Sequence, residues 1–259
     1  MAFFTTEALS ALVTLTFLEI VLGIDNILFI TLISNKLATK DRKRATQIGL
    51  VLAMFLRIFL LMGISIFIGM QESWFVIDNS VLHTEVSGQS FILFVGGLFL
   101  VYKATKEIYE RVEEPNHSIK TLQSRKLSLS KAVLQITLIN IVFSFDSILT
   151  AIGMTNGLPN AFWLMIIAVV VSVLIMMLFA NPVGDFVSKY PSIQVLGMAF
   201  LLLIGFMLVT EAAHLSHTIF LDEAIGSIPK GYLYFAIAFS VGVEFINMKM
   251  RARKSKNPT

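Results

Sequence analysis

Thr-Phe-Leu-Glu-Ile-Val-Leu-Gly-Ile-Asp-Asn-Ile-Leu is the sequence of residues 16–28, and residues 137–149 read Thr-Leu-Ile-Asn-Ile-Val-Phe-Ser-Phe-Asp-Ser-Ile-Leu. The two segments align without gaps at an offset of 121 residues, and six of the thirteen positions are identical. Apolar composition alone would produce some matches, but it would not place Asp25 in register with Asp146. A shorter echo relates residues 97–101 to residues 205–209. The chain therefore contains an internal repeat.

The composition excludes most soluble classes of protein. The 259 residues are 56% hydrophobic and only 14% charged, whereas a soluble domain has about 45–50% apolar and about 25% charged residues. With a mean hydropathy of +0.81, the apolar excess is too large for one core, which argues against a soluble enzyme, a disordered chain or a nucleic-acid-binding domain. The chain has no cysteine, which excludes disulfides, thiolate metal sites and thiol catalysis.

Seven stretches are long and apolar enough to span a bilayer, which takes about 20 residues. They are Ala8–Ser34, Ala45–Met70, Gln89–Tyr109, Lys131–Met154, Asn160–Ala180, Ser192–Ala213 and Gly231–Lys249. The breakers between them are Asn35, Pro115, Gly157, Pro159, Asn181, Pro182, Pro191 and Pro229. We expect one transmembrane domain over residues 1–259, without a separate soluble domain.

The repeat predicts how these spans are arranged. Repeat one covers about residues 8–110, repeat two about 131–213, and an extra helix about 231–249. Three spans per repeat is an odd number, so the two repeats must have opposite orientation. We expect an all-α membrane protein of seven transmembrane helices, built from two inverted three-helix repeats plus a C-terminal helix, a plan common among secondary transporters.

Lysine and arginine predict the orientation, because cytoplasmic loops are enriched in them. With seven spans, eighteen of the twenty fall on one side, whereas Lys230 is on the other side and Arg57 lies within a span. We expect the N-terminus outside, beginning a spanning helix rather than a cleaved signal, and the C-terminus in the cytoplasm. The pI of 9.1 then reflects topology and contact with anionic lipid rather than binding to nucleic acid.

Polar and ionisable residues within the spans predict a functional site, since a charge at the bilayer centre costs at least about 2.5–3.5 kcal/mol. The candidate metal ligands are Glu19, Asp25, Asn26, Asn140, Asp146 and Ser147. The candidate counter-ions or gating residues are Arg57, Glu211 and Glu244. Asp25 and Asp146 fall near the midplane because their helices run in opposite directions, and Gly23 is expected to permit local unwinding. The alternative is that the carboxylates only pair with Arg57 and hold the bundle together.

The chemistry of this set predicts a divalent cation. Carboxylate, amide and hydroxyl oxygens are hard ligands, which suit Mg²⁺, Ca²⁺ and Mn²⁺ better than Zn²⁺ or copper. Glu19, Asp25, Asp146 and Arg57 sum to −2, which a divalent cation would neutralise. Burial favours the protonated carboxyl once the cation leaves, so we expect cation/proton antiport and no permanently bound cofactor.

Other polar or sulfur-containing residues are less informative. The twelve methionines are expected in the core or against lipid, and none is expected to cluster with the acidic residues. His214, His217, Asp222 and Glu223 could collect metal at the outer surface, but a solvated polar loop is the favoured interpretation.

Four motifs are distinctive: residues 19–26 (Glu-Ile-Val-Leu-Gly-Ile-Asp-Asn), 143–147 (Phe-Ser-Phe-Asp-Ser), 96–107 (Gly-Gly-Leu-Phe-Leu-Val-Tyr-Lys-Ala-Thr-Lys-Glu) and 184–186 (Gly-Asp-Phe). Together they resemble the TerC family of bacterial integral membrane proteins, named from tellurium-resistance loci, and the resemblance covers nearly the whole chain. It implies the short form without cystathionine-β-synthase domains, the paired three-helix plan of the LysE-type superfamily, the bacterial inner membrane and manganese export.

The resemblance also implies which residues act. The acidic positions of the family map onto Glu19, Asp25 and Asp146. The chain departs from close members at Asn140, where they carry aspartate, so this site has one negative charge fewer.

Three other functions compete with metal export. An exporter of a small organic solute would use Asp25, Asp146 and Arg57 to bind a zwitterion, and a non-transporting adaptor would act through partner proteins. An intramembrane aspartyl protease is disfavoured because the Gly-x-Gly-Asp pattern of such enzymes is missing before both aspartates. We therefore expect a transporter and no enzymatic activity, with the oligomeric state left open.

Overall fold

A computed structural model describes residues 5–63, 69–113, 128–155, 158 and 160–256. The side chains of residues 22, 24, 25, 28, 39, 111–113, 146 and 252–256 also lie outside the description. The predicted breakers Pro115, Gly157 and Pro159 therefore lie outside the described residues.

The described residues form seven helices of 24 to 29 residues. They are α1 (Thr6–Ser34), α2 (Thr39–Met62), α3 (Gly88–Glu113), α4 (Leu129–Thr155), α5 (Ala161–Lys189), α6 (Pro191–Leu215) and α7 (Lys230–Lys256). Local sequence fixes two of the starts: the Thr5 hydroxyl accepts a hydrogen bond from the N–H of Ala8 at 3.2 Å, and Pro191 occupies the first turn of α6. Each helix overlaps one predicted apolar stretch.

Five helices, α2 and α4 to α7, are long and apolar enough to cross a membrane. The prediction of a mostly helical protein with several potential spans is confirmed to that extent. Spanning by α1 and α3 stays a prediction.

The structure corrects three details of the helices. The expected break at Asn181 and Pro182 is wrong, because α5 continues through Pro182 to Lys189. Proline removes one backbone donor, which spanning helices tolerate where neighbouring groups satisfy the freed carbonyl. Helix α1 is unbroken at Gly23, so the expected unwinding there is also wrong. Helix α2 ends at Met62 rather than at residue 70, with the N–H of Gly63 bonded back into the last turn.

The prediction of an all-α protein is incomplete, because two connections contain strands. The strands are β1 (Ser73–Asp78), β2 (Leu82–Ser87), β3 (Ile219–Phe220) and β4 (Glu223–Ala224). They form one antiparallel sheet in the order β1-β2-β3-β4, in which Leu82 pairs with Phe220 and His83 with Ile219. The sheet joins the connection between α2 and α3 to the connection between α6 and α7.

Side chains reinforce the sheet. The Thr84 and Thr218 hydroxyls lie 2.8 Å apart in a buried hydrogen bond. In the β1–β2 turn, the side-chain oxygen of Asn79 accepts hydrogen bonds from the N–H groups of Val81 and Leu82 at 2.9 and 2.8 Å. An asparagine that closes a tight turn between β-branched and aromatic residues is the usual mark of a hairpin.

The helices divide into a central group of four and an outer group. Helix α1 packs on α5, and α2 packs on both α4 and α5. Helix α3 packs most closely on α6, whereas the candidate membrane-crossing part of α7 is only 6% buried and α7 lies mainly against α6. The central four helices therefore surround the middle of the molecule.

Two glycines set the close approach of α3 and α6. A Cβ added at Gly97 would lie 2.7 Å from the carbonyl oxygen of Gly205, and one added at Gly205 would lie 2.9 Å from the carbonyl oxygen of Gly97. Val209 and Val101 complete the two contacts in the same reciprocal way. Small residues permit such contact between helix backbones in a membrane. The short sequence similarity between residues 97–101 and 205–209 therefore corresponds to the place where α3 and α6 cross.

Candidate functional site

A small cavity lies where the four central helices meet. Its polar lining consists of Asn26 on α1, Asn140 on α4 and Arg57 on α2. The apolar lining residues are Leu50, Ala53, Val173 and Met176. The volume is about 10 Å³, which is room for about one water-sized group. The cavity therefore lies between α1, α2, α4 and α5, near the middle of most of these helices.

Glu19 and Arg57 form a buried ion pair beside the cavity. Arg57 Nη1 donates a hydrogen bond to Glu19 Oε2, and the two residues are only 4% and 3% exposed. The Nε atom of Arg57 is also buried and has no hydrogen-bond partner among the described residues. A buried charge needs a partner, so Glu19 compensates Arg57 and the pair leaves no net charge at this edge of the cavity.

In the corresponding part of α4, the polar side chains that the structure describes are uncharged. Ser144 donates a hydrogen bond to Asn140 Oδ1 at 3.5 Å, and Ser147 donates one to the Ser144 carbonyl oxygen at 3.1 Å. All three residues are buried. Ser147, a predicted ligand, therefore lies near the cavity on the same helix but outside its lining.

Asp25 and Asp146 lie in α1 and α4, and their side chains are outside the description. Asp25 directly precedes Asn26, and Asp146 directly precedes Ser147. Among the side chains that the structure describes, there is no group of three or more His, Asp and Glu residues able to hold a metal ion. The contribution of these two aspartates to a metal site stays a prediction.

The structure does not bring the two remaining predicted acids to the cavity. Glu211 is half-buried on α6, and neither it nor Glu244 on α7 belongs to the lining. Glu244 Oε2 accepts a hydrogen bond from Asn247 at 3.4 Å. The other oxygen, Oε1, is buried without a partner in the part of the chain described. A gating role for these two residues receives no support from their positions.

Met176 is the lining residue that sequence reasoning missed. We expected no methionine to cluster with the acidic residues, which stays a prediction, but Met176 does line the cavity beside the neutral residues Asn26 and Asn140. It reaches that position because Gly23 of α1 leaves room for its sulfur. The only signal in the sequence is Gly23 itself, a small residue two positions before Asp25.

The predicted outer histidines form no metal-binding group within the described residues. His214 and His217 are exposed, and His217 has a positive φ of 46° in the turn before β3. Asp222 and Glu223 lie in and after the turn between β3 and β4. The polar-loop interpretation therefore fits their exposure.

Residues of the 96–107 motif hold α3 against the end of α1. Glu107 accepts hydrogen bonds from Lys36, which follows α1, and from Lys103 of its own helix at 3.0 Å. Nearby, Ser188 at the end of α5 donates a hydrogen bond to Asn35 at 2.9 Å. Both contacts lie at the same end of the bundle, so they fasten that end of α1 to its neighbours.

Comparison with known proteins assigns the family. The family model described as integral membrane protein TerC family matches residues 4–258. The chain is 42% identical over 248 residues to the UPF0053 inner membrane protein YgdQ of Escherichia coli K12, covering 96% of this chain and 94% of that one. It is 41% identical over 245 residues to a UPF0053 protein of Haemophilus influenzae, covering 95% of each.

A longer relative aligns over part of its length only. The UPF0053 inner membrane protein YoaE of Escherichia coli K12 is 39% identical over 242 residues, which is 93% of this chain and 43% of YoaE. The near-complete coverage of the shorter relatives agrees with the predicted short form. No solved structure matches the chain. Because the family model and these relatives cover almost every residue, the chain belongs to the TerC family of integral membrane proteins.

Proposed function

We propose that this protein is a transporter, rather than an enzyme, and that it exports a divalent cation, Mn²⁺, through the central cavity. The observation that carries the proposal is the cavity itself, which lies among four helices and is lined by Asn26, Asn140 and Arg57. Polar groups buried at membrane depth usually mark the path of a substrate or ion.

The size of the cavity favours an ion. About 10 Å³ holds one water-sized group and is too small for an organic solute. The amide oxygens of Asn26 and Asn140 are hard ligands. Asp25 directly precedes Asn26, and Asp146 follows Asn140 after six residues, less than two helical turns. With Arg57 already compensated by Glu19, two aspartates would balance one divalent cation.

The contacts between helices support seven spans in two inverted repeats. In such an arrangement, α1, α2 and α3 of the first repeat correspond to α4, α5 and α6 of the second. The α1–α5 contact then corresponds to the α4–α2 contact, and both contacts exist. Gly97 and Gly205 correspond in the same way, and each contacts the other. A transporter of this plan can expose a central site alternately to each side by moving one part against the other.

We place the protein in a bacterial inner membrane, the membrane named for YgdQ and YoaE. The N-terminus lies outside and the C-terminus in the cytoplasm, which puts the sheet outside and most lysine and arginine residues inside. Release of the cation leaves carboxylates in a low-dielectric site, where proton uptake replaces the lost charge. This exchange would couple export to the proton gradient.

Export of a small organic solute is the second candidate, and Arg57 is the observation that favours it. Its buried Nε, unpartnered within the described residues, could bind the carboxylate of such a solute. The cavity would have to enlarge greatly to admit the solute, whereas an ion needs no such change.

Manganese transport into everted membrane vesicles tests the proposal. Wild-type vesicles should accumulate Mn²⁺, Asp25→Asn should abolish the accumulation, and an imposed pH gradient should change the wild-type rate. Asp222→Asn makes the same chemical change in an exposed turn and should transport normally. Equal Mn²⁺ in vesicles with and without the protein would refute the proposal.

A further inference from the structure

Met176 is the one sulfur-containing residue within the cavity lining that the structure describes. The residue is 4% exposed and lies near the middle of α5. The other lining side chains offer amide groups, a guanidinium group or hydrocarbon. The residues that line the cavity therefore include both amide oxygens, which are hard ligands, and one soft thioether.

The position of this sulfur depends on α1. A Cβ added at Gly23 would lie 2.0 Å from Met176 Sδ and 3.0 Å from its terminal methyl carbon, so a larger residue would displace the side chain. Gly23 and Asn26 are three residues apart and share a face of the helix. The thioether thus lies against the same face of α1 that presents Asn26 to the cavity.

A thioether discriminates between cations that oxygen ligands treat alike. Mg²⁺ and Ca²⁺ bind oxygen almost exclusively. Mn²⁺ also favours oxygen ligands, but as a transition ion it accepts a thioether more readily than Mg²⁺ or Ca²⁺ does. If a cation in the cavity exchanges one oxygen ligand for Met176, Mg²⁺ and Ca²⁺ lose more binding free energy than a transition ion does. The abundant hard ions are the ones that an exporter of a trace metal must reject.

We infer that Met176 is a specificity-determining residue, whose thioether makes the cavity select divalent transition-metal cations against Mg²⁺ and Ca²⁺. This inference rests on the proposed function, because it concerns the cation that the same cavity binds. It differs from the proposed function in assigning selectivity to a sulfur atom on α5 rather than to carboxylates on α1 and α4.

Competition between ions in proteoliposomes tests the inference. Purified protein is reconstituted, and Mn²⁺ uptake is measured with increasing Ca²⁺ or Mg²⁺ for wild type and Met176→Leu. Leucine nearly conserves volume and packing but removes the sulfur. We expect the preference for Mn²⁺ over Ca²⁺ to fall about tenfold, the lower end of the loss caused by removing a supporting group from a metal site.

Two further variants separate selectivity from packing. Met198→Leu makes the same change in the core of α6, where Met198 is 1% exposed and outside the lining, and should keep the wild-type preference. Gly23→Ala retains the thioether but displaces it, and should lower the preference as Met176→Leu does. It provides the decisive measurement if Met176→Leu does not assemble.

The outcomes distinguish this inference from the proposed function. If wild type transports Mn²⁺ and both cavity variants keep its ion preference, the inference is wrong and the proposed function stands. If wild type transports no divalent cation, both fail. A reduced preference in Met176→Leu and Gly23→Ala, with Met198→Leu unchanged, supports the inference.

Discussion

The two halves of the molecule, α1 to α3 and α4 to α6, use the same helical plan for different chemistry. In the first half Glu19 forms a buried ion pair with Arg57. The aligned position in the second half is Asn140, which lines the cavity and accepts a hydrogen bond from Ser144. The contrast shows that two similar helices can carry an ion-paired carboxylate in one half and a neutral amide at the aligned position of the other.

Of the changes that test this difference between the halves, breaking the ion pair should lower the free energy of unfolding the most. Arg57→Met leaves the Glu19 carboxylate buried without its partner and should cost about 3–5 kcal/mol of stability. Unfolding of the detergent-solubilised protein measures the loss. The double variant Glu19→Gln, Arg57→Met removes both charges and should recover most of it. If the single and double variants unfold alike, the pair does not compensate charge as described.

Helices α3 and α6 cross where the two halves are alike. A substitution at this crossing should lower the free energy of unfolding by a similar amount whether it is made on α3 or on α6. Gly97→Ala and Gly205→Ala each force a methyl group against a backbone carbonyl oxygen, and each should cost about 1–3 kcal/mol by overpacking. Gly153→Ala is the matched control, because a Cβ there meets nothing within 4 Å. The same unfolding measurement applies, and a loss confined to one of the two glycines would contradict the reciprocal contact.

Adding a negative charge to the second half should have the smallest effect of the three, and the quantity that it changes is the free energy of Mn²⁺ binding. Asn140→Asp places a carboxylate in the cavity lining and should tighten Mn²⁺ binding about tenfold, through attraction in a site of low dielectric. Isothermal titration of the purified protein measures the affinity. Asn79→Asp, in the β1–β2 turn, should leave it unchanged. Weaker binding by Asn140→Asp would mean that the cation does not contact this part of the cavity.

The sequence was sufficient to predict the helices, because long apolar runs can hardly fold otherwise in a membrane. The short similarity between residues 97–101 and 205–209 was also informative, because it places Gly97 and Gly205 at matching positions. It failed at Pro182, where local propensity predicts a break but α5 continues. Propensity is overridden there because adjacent helices and flanking apolar residues stabilise the helix.

The cavity was predictable only in part. Asn26, Asn140 and Arg57 were identified because polar residues are conspicuous in apolar helices. Met176 was not, because methionine is ordinary in such a helix and its neighbour Gly23 is about 150 residues away in sequence. Contacts of that kind depend on how helices pack, which a single sequence does not specify.

The small sheet can be completed only late in the synthesis of the protein. Thr84 and its partner Thr218 are 134 residues apart, and the paired strands β2 and β3 are separated by almost the same length of chain. At about 5–20 residues per second of translation, β2 waits on the order of ten seconds with one edge unpaired. The hairpin of β1 and β2 can form early, but its completion by β3 requires that α6 has already emerged from the ribosome. The sheet therefore closes late and joins the connections before α3 and after α6 once both halves have been made.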